Sequence, residues 1–83
     1  MTDPETKLRE TILALLEQRA PGKTICPSEA ARCAFPDAWR DYMEMTRLAA
    51  IGLAEVGELE ICQGGVAVES RSFHGPIRLR KVR

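Results

Sequence analysis

At Gly57 the hydrophobic period of the chain changes, and that change constrains the fold more than any other feature. Upstream, apolar residues recur every three or four positions. Leu8, Ile12, Leu15 and Leu16 form one such series. Trp39, Tyr42, Met43, Thr46, Ala49, Ala50, Leu53 and Val56 form another. Downstream the apolar residues alternate: Leu59 and Ile61 against Glu58 and Glu60, then Ile77 and Leu79 against Arg78 and Arg80. The first spacing lines one face of a helix and the second lines one face of a strand. Helices followed by strands is an α+β order.

Proline and glycine punctuate the helical part. Asp3 and Pro4 suit an N-cap and a first helical position, so the first helix runs from there to about Gln18 or Arg19, where Ala20-Pro21-Gly22 stops it. Thr24-Ile25 reads as a short extended piece, because Cys26 precedes a proline and is pushed out of the helical region. Cys26 then caps a second helix with Pro27 at its first position. Glu29 is placed to reach back to the Cys26 amide, as in half of a capping box. Ala30, Ala31, Cys33 and Ala34 make its inner face small, with Cys33 expected to pack. Pro36 ends this helix near Phe35. Asp37 caps a third helix, Ala38 to Val56, about 28 Å long at 1.5 Å per residue, with Gly57 as its left-handed end. Gly64-Gly65 is a turn signal, Val66-Ala67-Val68 a brief strand, residues 71–75 a loop, and residues 76–82 a final strand.

The chain has 83 residues and reads as one domain, 1–83. Its three helices and small antiparallel sheet or wing come in the order of a winged helix-turn-helix, with Thr24-Ile25 as the short extra strand. The Ile12–Leu16 run is far shorter than the roughly 20 apolar residues that span a bilayer, so no membrane partner is expected. The N-terminal MTDPETKLRE lacks the apolar core of a signal peptide. Three cysteines without framework spacing read as reduced thiols in a cytoplasmic protein.

Two motifs carry a resemblance. KTICPSEAAR (Lys23–Arg32) together with GPIRLR (Gly75–Arg80) resembles a bacterial winged-helix family of unknown function. The similarity extends from about Leu8 to Arg80. It implies the fold and a bacterial, cytoplasmic setting, and it implies no activity and no catalytic residues. Some relatives add a short cysteine-rich zinc-binding segment. This chain has none, so no metal is carried over.

Lys+Arg and Asp+Glu number 12 each, so any binding to nucleic acid must come from segregated charge rather than net charge. Arg71, Arg78, Arg80, Lys81 and Arg83 are uninterrupted by acid, whereas the third helix mixes Arg40 and Arg47 with Asp41 and Glu44. The candidate DNA-contacting residues are therefore Arg40 and Arg47 on the third helix and Arg71, His74, Arg78 and Lys81 on the wing. Two features oppose this. Glu58 and Glu60 share one strand face and could pair with Arg78 and Arg80, and Asp41 and Glu44 could pair with Arg40 and Arg47.

Cys26, at a helix N-terminus with Lys23 nearby, is a candidate redox thiol. A zinc site from Cys26, Cys33, Cys62 and His74 lacks a short Cys-x₂₋₄-Cys knuckle. A single histidine gives no nucleophilic triad. No enzyme, cofactor or metal is expected. The leading expectation is a non-enzymatic, regulator-like module for double-stranded DNA. A protein-interaction or homodimerisation module is the alternative, and a Cys26 redox sensor is the third.

Overall fold

The computed structural model describes residues 3–20 and 22–82. It contains α1 (Pro4–Gln18), β1 (Thr24–Ile25), α2 (Pro27–Ala34), a 3₁₀ segment (Trp39–Tyr42), α3 (Met43–Glu55), β2 (Leu59–Gln63), β3 (Val66–Val68) and β4 (Arg78–Lys81). Pro21, expected to help stop the first helix, lies outside the described residues, as does the basic Arg83. The fold is α+β, three helices and a four-stranded antiparallel sheet in the order β1-β4-β2-β3. This arrangement is compatible with a winged helix-turn-helix.

The caps act as the sequence suggests. Asp3 Oδ1 accepts the Thr6 N–H at 2.8 Å, and that bond, with a second from the Thr6 hydroxyl, holds the Asp3 carboxyl below its ordinary pKa. Glu29 Oε1 accepts the Cys26 N–H at 3.0 Å, while its Oε2 takes Arg19 from the end of α1. One carboxylate thus caps α2 and ties α1 to it. Gly57, at φ 83°, completes a Schellman end to α3: its N–H donates to Ala54 O at 3.1 Å, and Glu58 N–H donates to Leu53 O at 2.9 Å. Gly64 and Gly65, at φ 57° and 81°, both supply the positive φ that a two-residue hairpin turn between β2 and β3 requires.

The core lies between the helices and one face of the sheet. Leu8, Ile12 and Leu16 of α1 meet Ala30 and Ala34 of α2 and Ala49, Ala50 and Leu53 of α3. The alanines let helices approach closely, and each fully buried Leu or Ile contributes roughly 1.5–3 kcal/mol. Register places Leu79 of β4 beside both Ile25 of β1 and Ile61 of β2. These three form a buried row across the sheet. On the opposite face the same register puts Arg80 beside Glu60.

The third helix differs from the expected Ala38–Val56 rod. Asp37 does not cap it. Residues 35–38 form a turn, with Ala38 N–H donating to Phe35 O, and the helix proper begins only at Met43. The intervening 3₁₀ segment has three residues per turn, so Trp39 and Tyr42 lie on one line. That geometry lets Tyr42 stack on Phe35, with ring centroids 4.0 Å apart and 13° between planes. Val56, expected inside, is 74% exposed, because it is the last residue before the Gly57 reversal and the chain turns away there. Cys33, expected to pack, is exposed. The buried residues of α2 are Pro27, Ala30, Ala31 and Ala34, and Cys33 falls outside that stripe. Finally, the last strand is shorter than residues 76–82, since Ile77 is buried but precedes the pairing.

A candidate aromatic and cationic corner

Arg71 is not a free cation. Its Nε and Nη2 both donate to the Glu55 carboxylate on α3, and this bonding raises the pKa of its guanidinium further. Arg80 donates twice to Glu60 Oε1, at 3.0 and 2.8 Å, which likewise favours its charged form. Lys81 Nζ lies 3.0 Å from Glu17 Oε2 of α1. Arg78 does not meet a glutamate: its Nε donates to Thr24 Oγ1 at 2.9 Å and its Nη2 to Thr24 O at 3.3 Å, across to β1. Of the two open pairings, then, Arg80 is joined to Glu60, and Arg78 is joined to β1 instead.

His74 is exposed, and its carbonyl accepts from Gln63 Nε2, which also donates to Pro76 O at 3.0 Å. The loop between β3 and β4 is thereby fastened at Glu55, at Gln63 and through Phe73, which packs against the core. A surface cleft of about 360 Å³ beside β4 is lined by Gly22, Glu60, Arg80, Lys81 and Val82. Both of its cations are already engaged, with Glu60 and Glu17.

The helical end differs. The Arg32 guanidinium lies 4.2 Å and the Arg40 guanidinium 4.7 Å from the centroid of the Trp39 ring. Lys7 Nζ from α1 lies 4.8 Å from the centroid of Phe35, which is itself stacked on Tyr42. Trp39 is the only tryptophan, Tyr42 the only tyrosine and Phe35 one of two phenylalanines, so most of the aromatic content of the chain meets at this corner. The rings are half-buried and the cations exposed. Among the described residues no ion pair engages Lys7, Arg32, Arg40 or Arg47. Asp41 and Glu44 therefore do not neutralise Arg40 and Arg47 as the helical spacing allowed.

Local sequence builds this corner. Pro36 ends α2 and the 3₁₀ segment returns the chain, so Trp39 comes back over Arg32, on the last turn of α2. Arg40 and Arg47 were legible as candidates from their place on the third helix. Arg32, Lys7 and Phe35 were not. The usable signal was an arginine in the final helical turn followed by a Phe-Pro stop and a tryptophan.

On α3 the buried residues are Thr46, Ala49, Ala50 and Leu53. At 100° per residue the exposed side facing away from them carries Glu44, Leu48 and Glu55, with exposed Arg47 toward its edge, while Ile51 is half-buried against the core. Leu48 is 54% exposed. The outward face of α3 thus carries two carboxylates and an exposed leucine at its centre, with the Arg47 cation at its margin.

The thiols do not assemble. Cys26 is half-buried, Cys33 exposed and Cys62 buried. Burial pushes the Cys26 thiol up, but hydrogen bonds from the Ser28 hydroxyl and from the Glu29 and Ser28 amides outweigh it, and its pKa is lowered. Burial pushes the Cys62 thiol up. Among the described residues no group of three or more His, Cys, Asp or Glu could hold a metal ion, and no helix is long and apolar enough to cross a membrane.

A family model described as "Protein of unknown function (DUF3253)" matches residues 5–82. No curated protein matches the chain.

Proposed function

We infer that this chain, which belongs to the DUF3253 family of proteins of unknown function, is a non-enzymatic winged-helix module that binds nucleic acid, DNA in the first instance. The observation that supports the reading is the corner at the α2–α3 junction: Lys7, Arg32 and Arg40 rest on aromatic rings and, among the described residues, have no carboxylate partner. Cations over rings are attracted by the ring quadrupole and keep their charge for a ligand. In a helix-turn-helix this junction lies against the nucleic-acid backbone. The wing contributes less than its arginine count suggests, because Arg71, Arg80 and Lys81 already have carboxylate partners.

The test is fluorescence anisotropy of labelled DNA, duplex and single-stranded, across a salt series. About three phosphates engaged give a slope of log K against log salt near −2.7 on duplex, at about 0.9 per phosphate. The Arg32→Ala, Arg40→Ala double variant lowers affinity at least about tenfold, with its fold checked by circular dichroism. Absence of binding to both forms at low salt overturns the reading.

A second reading follows from a separate observation. Leu48 and Val56 are 54% and 74% exposed on or beside the outward face of α3. Such a face suits a protein partner or a second copy better than a phosphate. A melting temperature that rises with protein concentration, without DNA affinity, would favour that reading.

A further inference from the structure

We propose that the corner takes single-stranded nucleic acid in preference to duplex, an inference that rests on the nucleic-acid reading above. Two independent observations carry it.

The first is what α3 offers a groove. To read duplex DNA, the second helix of a helix-turn-helix enters the major groove between two walls of phosphate. The outward side of α3 presents Glu44, Leu48 and Glu55, with exposed Arg47 at its margin. Glu55 is partly offset by Arg71, but Glu44 has no ion-pair partner among the described residues. Carboxylates facing phosphate are repulsive, and Leu48 offers a base edge no hydrogen bond. Arg47 stands at the margin of this face rather than at its centre.

The second is what the corner offers an unpaired strand. Single strands are held by cations that track the backbone and by flat groups on which successive bases stack, aromatic rings and arginine guanidiniums alike. The corner has both. The guanidiniums of Arg32 and Arg40 are set over the half-buried Trp39 ring, and the Phe35–Tyr42 stack lies alongside, with Lys7 over Phe35. In a duplex the bases are already stacked on each other and cannot use these surfaces. In a single strand they can.

Trp39 is the only tryptophan, so its fluorescence reports this corner alone. The experiment titrates the full chain with a mixed-sequence 12-nucleotide single strand and with the matching duplex, following both tryptophan emission and anisotropy of the labelled oligonucleotide. The expected result is at least about tenfold tighter binding of the single strand. Tryptophan emission should be quenched, and the salt slope should lie near −2, at about 0.7 per phosphate for three contacts. Trp39→Phe, which keeps a ring, retains most of the affinity. Arg32→Ala with Arg40→Ala loses at least tenfold on the single strand while its urea midpoint stays close to that of the parent. Duplex binding as tight as single-strand binding, or single-strand binding without any change in Trp39 emission, overturns the inference and leaves the nucleic-acid reading intact. Failure of both oligonucleotides overturns the two together.

Discussion

Two regions of this small protein carry the same kind of charge and treat it in opposite ways. In the sheet and its long loop, Arg71, Arg80 and Lys81 are each joined to a carboxylate, and Arg78 is bonded to Thr24. At the helical corner Lys7, Arg32 and Arg40 are joined to rings. An ion pair cancels a charge as it orients it, whereas a ring orients a cation and leaves its charge in place. The region richest in arginine by sequence is thus the poorer in available charge.

The thiols divide along the same boundary and give the largest expected effect. In the folded protein Cys33, exposed on α2, and Cys26, half-buried with a lowered pKa, alkylate readily. Cys62 is 1% exposed and burial raises its pKa, so it reacts at least about a hundredfold more slowly, as opening of the sheet permits. Peptide mass spectrometry over a time course with iodoacetamide measures this. A Cys62 rate equal to that of Cys33 would mean that the sheet is no more closed than the helix surface. The pH dependence has a defined sign. The fold favours the Cys26 thiolate, so its contribution to stability is present above the unfolded pKa and is lost as pH falls through the lowered folded value. Ser28→Ala removes one hydrogen bond to sulfur and moves the Cys26 alkylation midpoint to higher pH.

Next in size is Phe35→Ala, which removes the Tyr42 stack, the seat of Lys7 and a partly buried contact with the core. A loss of about 2 kcal/mol in urea unfolding is expected, below the 3–5 kcal/mol typical of a fully buried phenylalanine. An unchanged midpoint would show that the corner is a surface ornament on an independent core. Smallest is Glu55→Gln, which removes the charge opposite Arg71 and one of its two acceptor oxygens. If the wing lies within reach of the ligand, affinity rises about two- to threefold and the salt slope steepens by somewhat less than one. No change would confine binding to the helical corner and sharpen the contrast between the two regions.

Much of the framework was readable in the chain because each element is marked by a local physical rule. Asp3-Pro4, the Cys26-Pro27-Ser28-Glu29 start, Gly57 and Gly64-Gly65 determine their own neighbourhoods through caps and positive φ, and all four do so in the structure. The 3₁₀ segment was not readable. The apolar positions of residues 39–43 fit a helical period well enough, and the tighter turn goes with a Phe35–Tyr42 stack that helical spacing does not announce. The state of each arginine was equally hidden. Arg78 and Arg80 share a face; the register sets Arg80 opposite both Thr24 and Glu60, yet Arg80 takes Glu60 while Arg78 reaches diagonally to Thr24. Arg32 is signalled only in combination, as an arginine in the last helical turn before a Phe-Pro stop and a tryptophan, since its partner ring is brought back by the turn.

The 3₁₀ segment also acts as a phase adapter. Each of its residues turns the chain by about 120°, against about 100° in an α-helix, so Trp39–Tyr42 accumulates about 80° of extra rotation before α3 begins. A continuous helix would have carried Trp39 into line with Thr46 and Ala50 on the buried stripe and turned only Arg40 toward Glu44. The adapter decouples the two, so that one short stretch of chain presents a cationic surface and the next an acidic, apolar one. Each can therefore change in sequence without re-aiming the other.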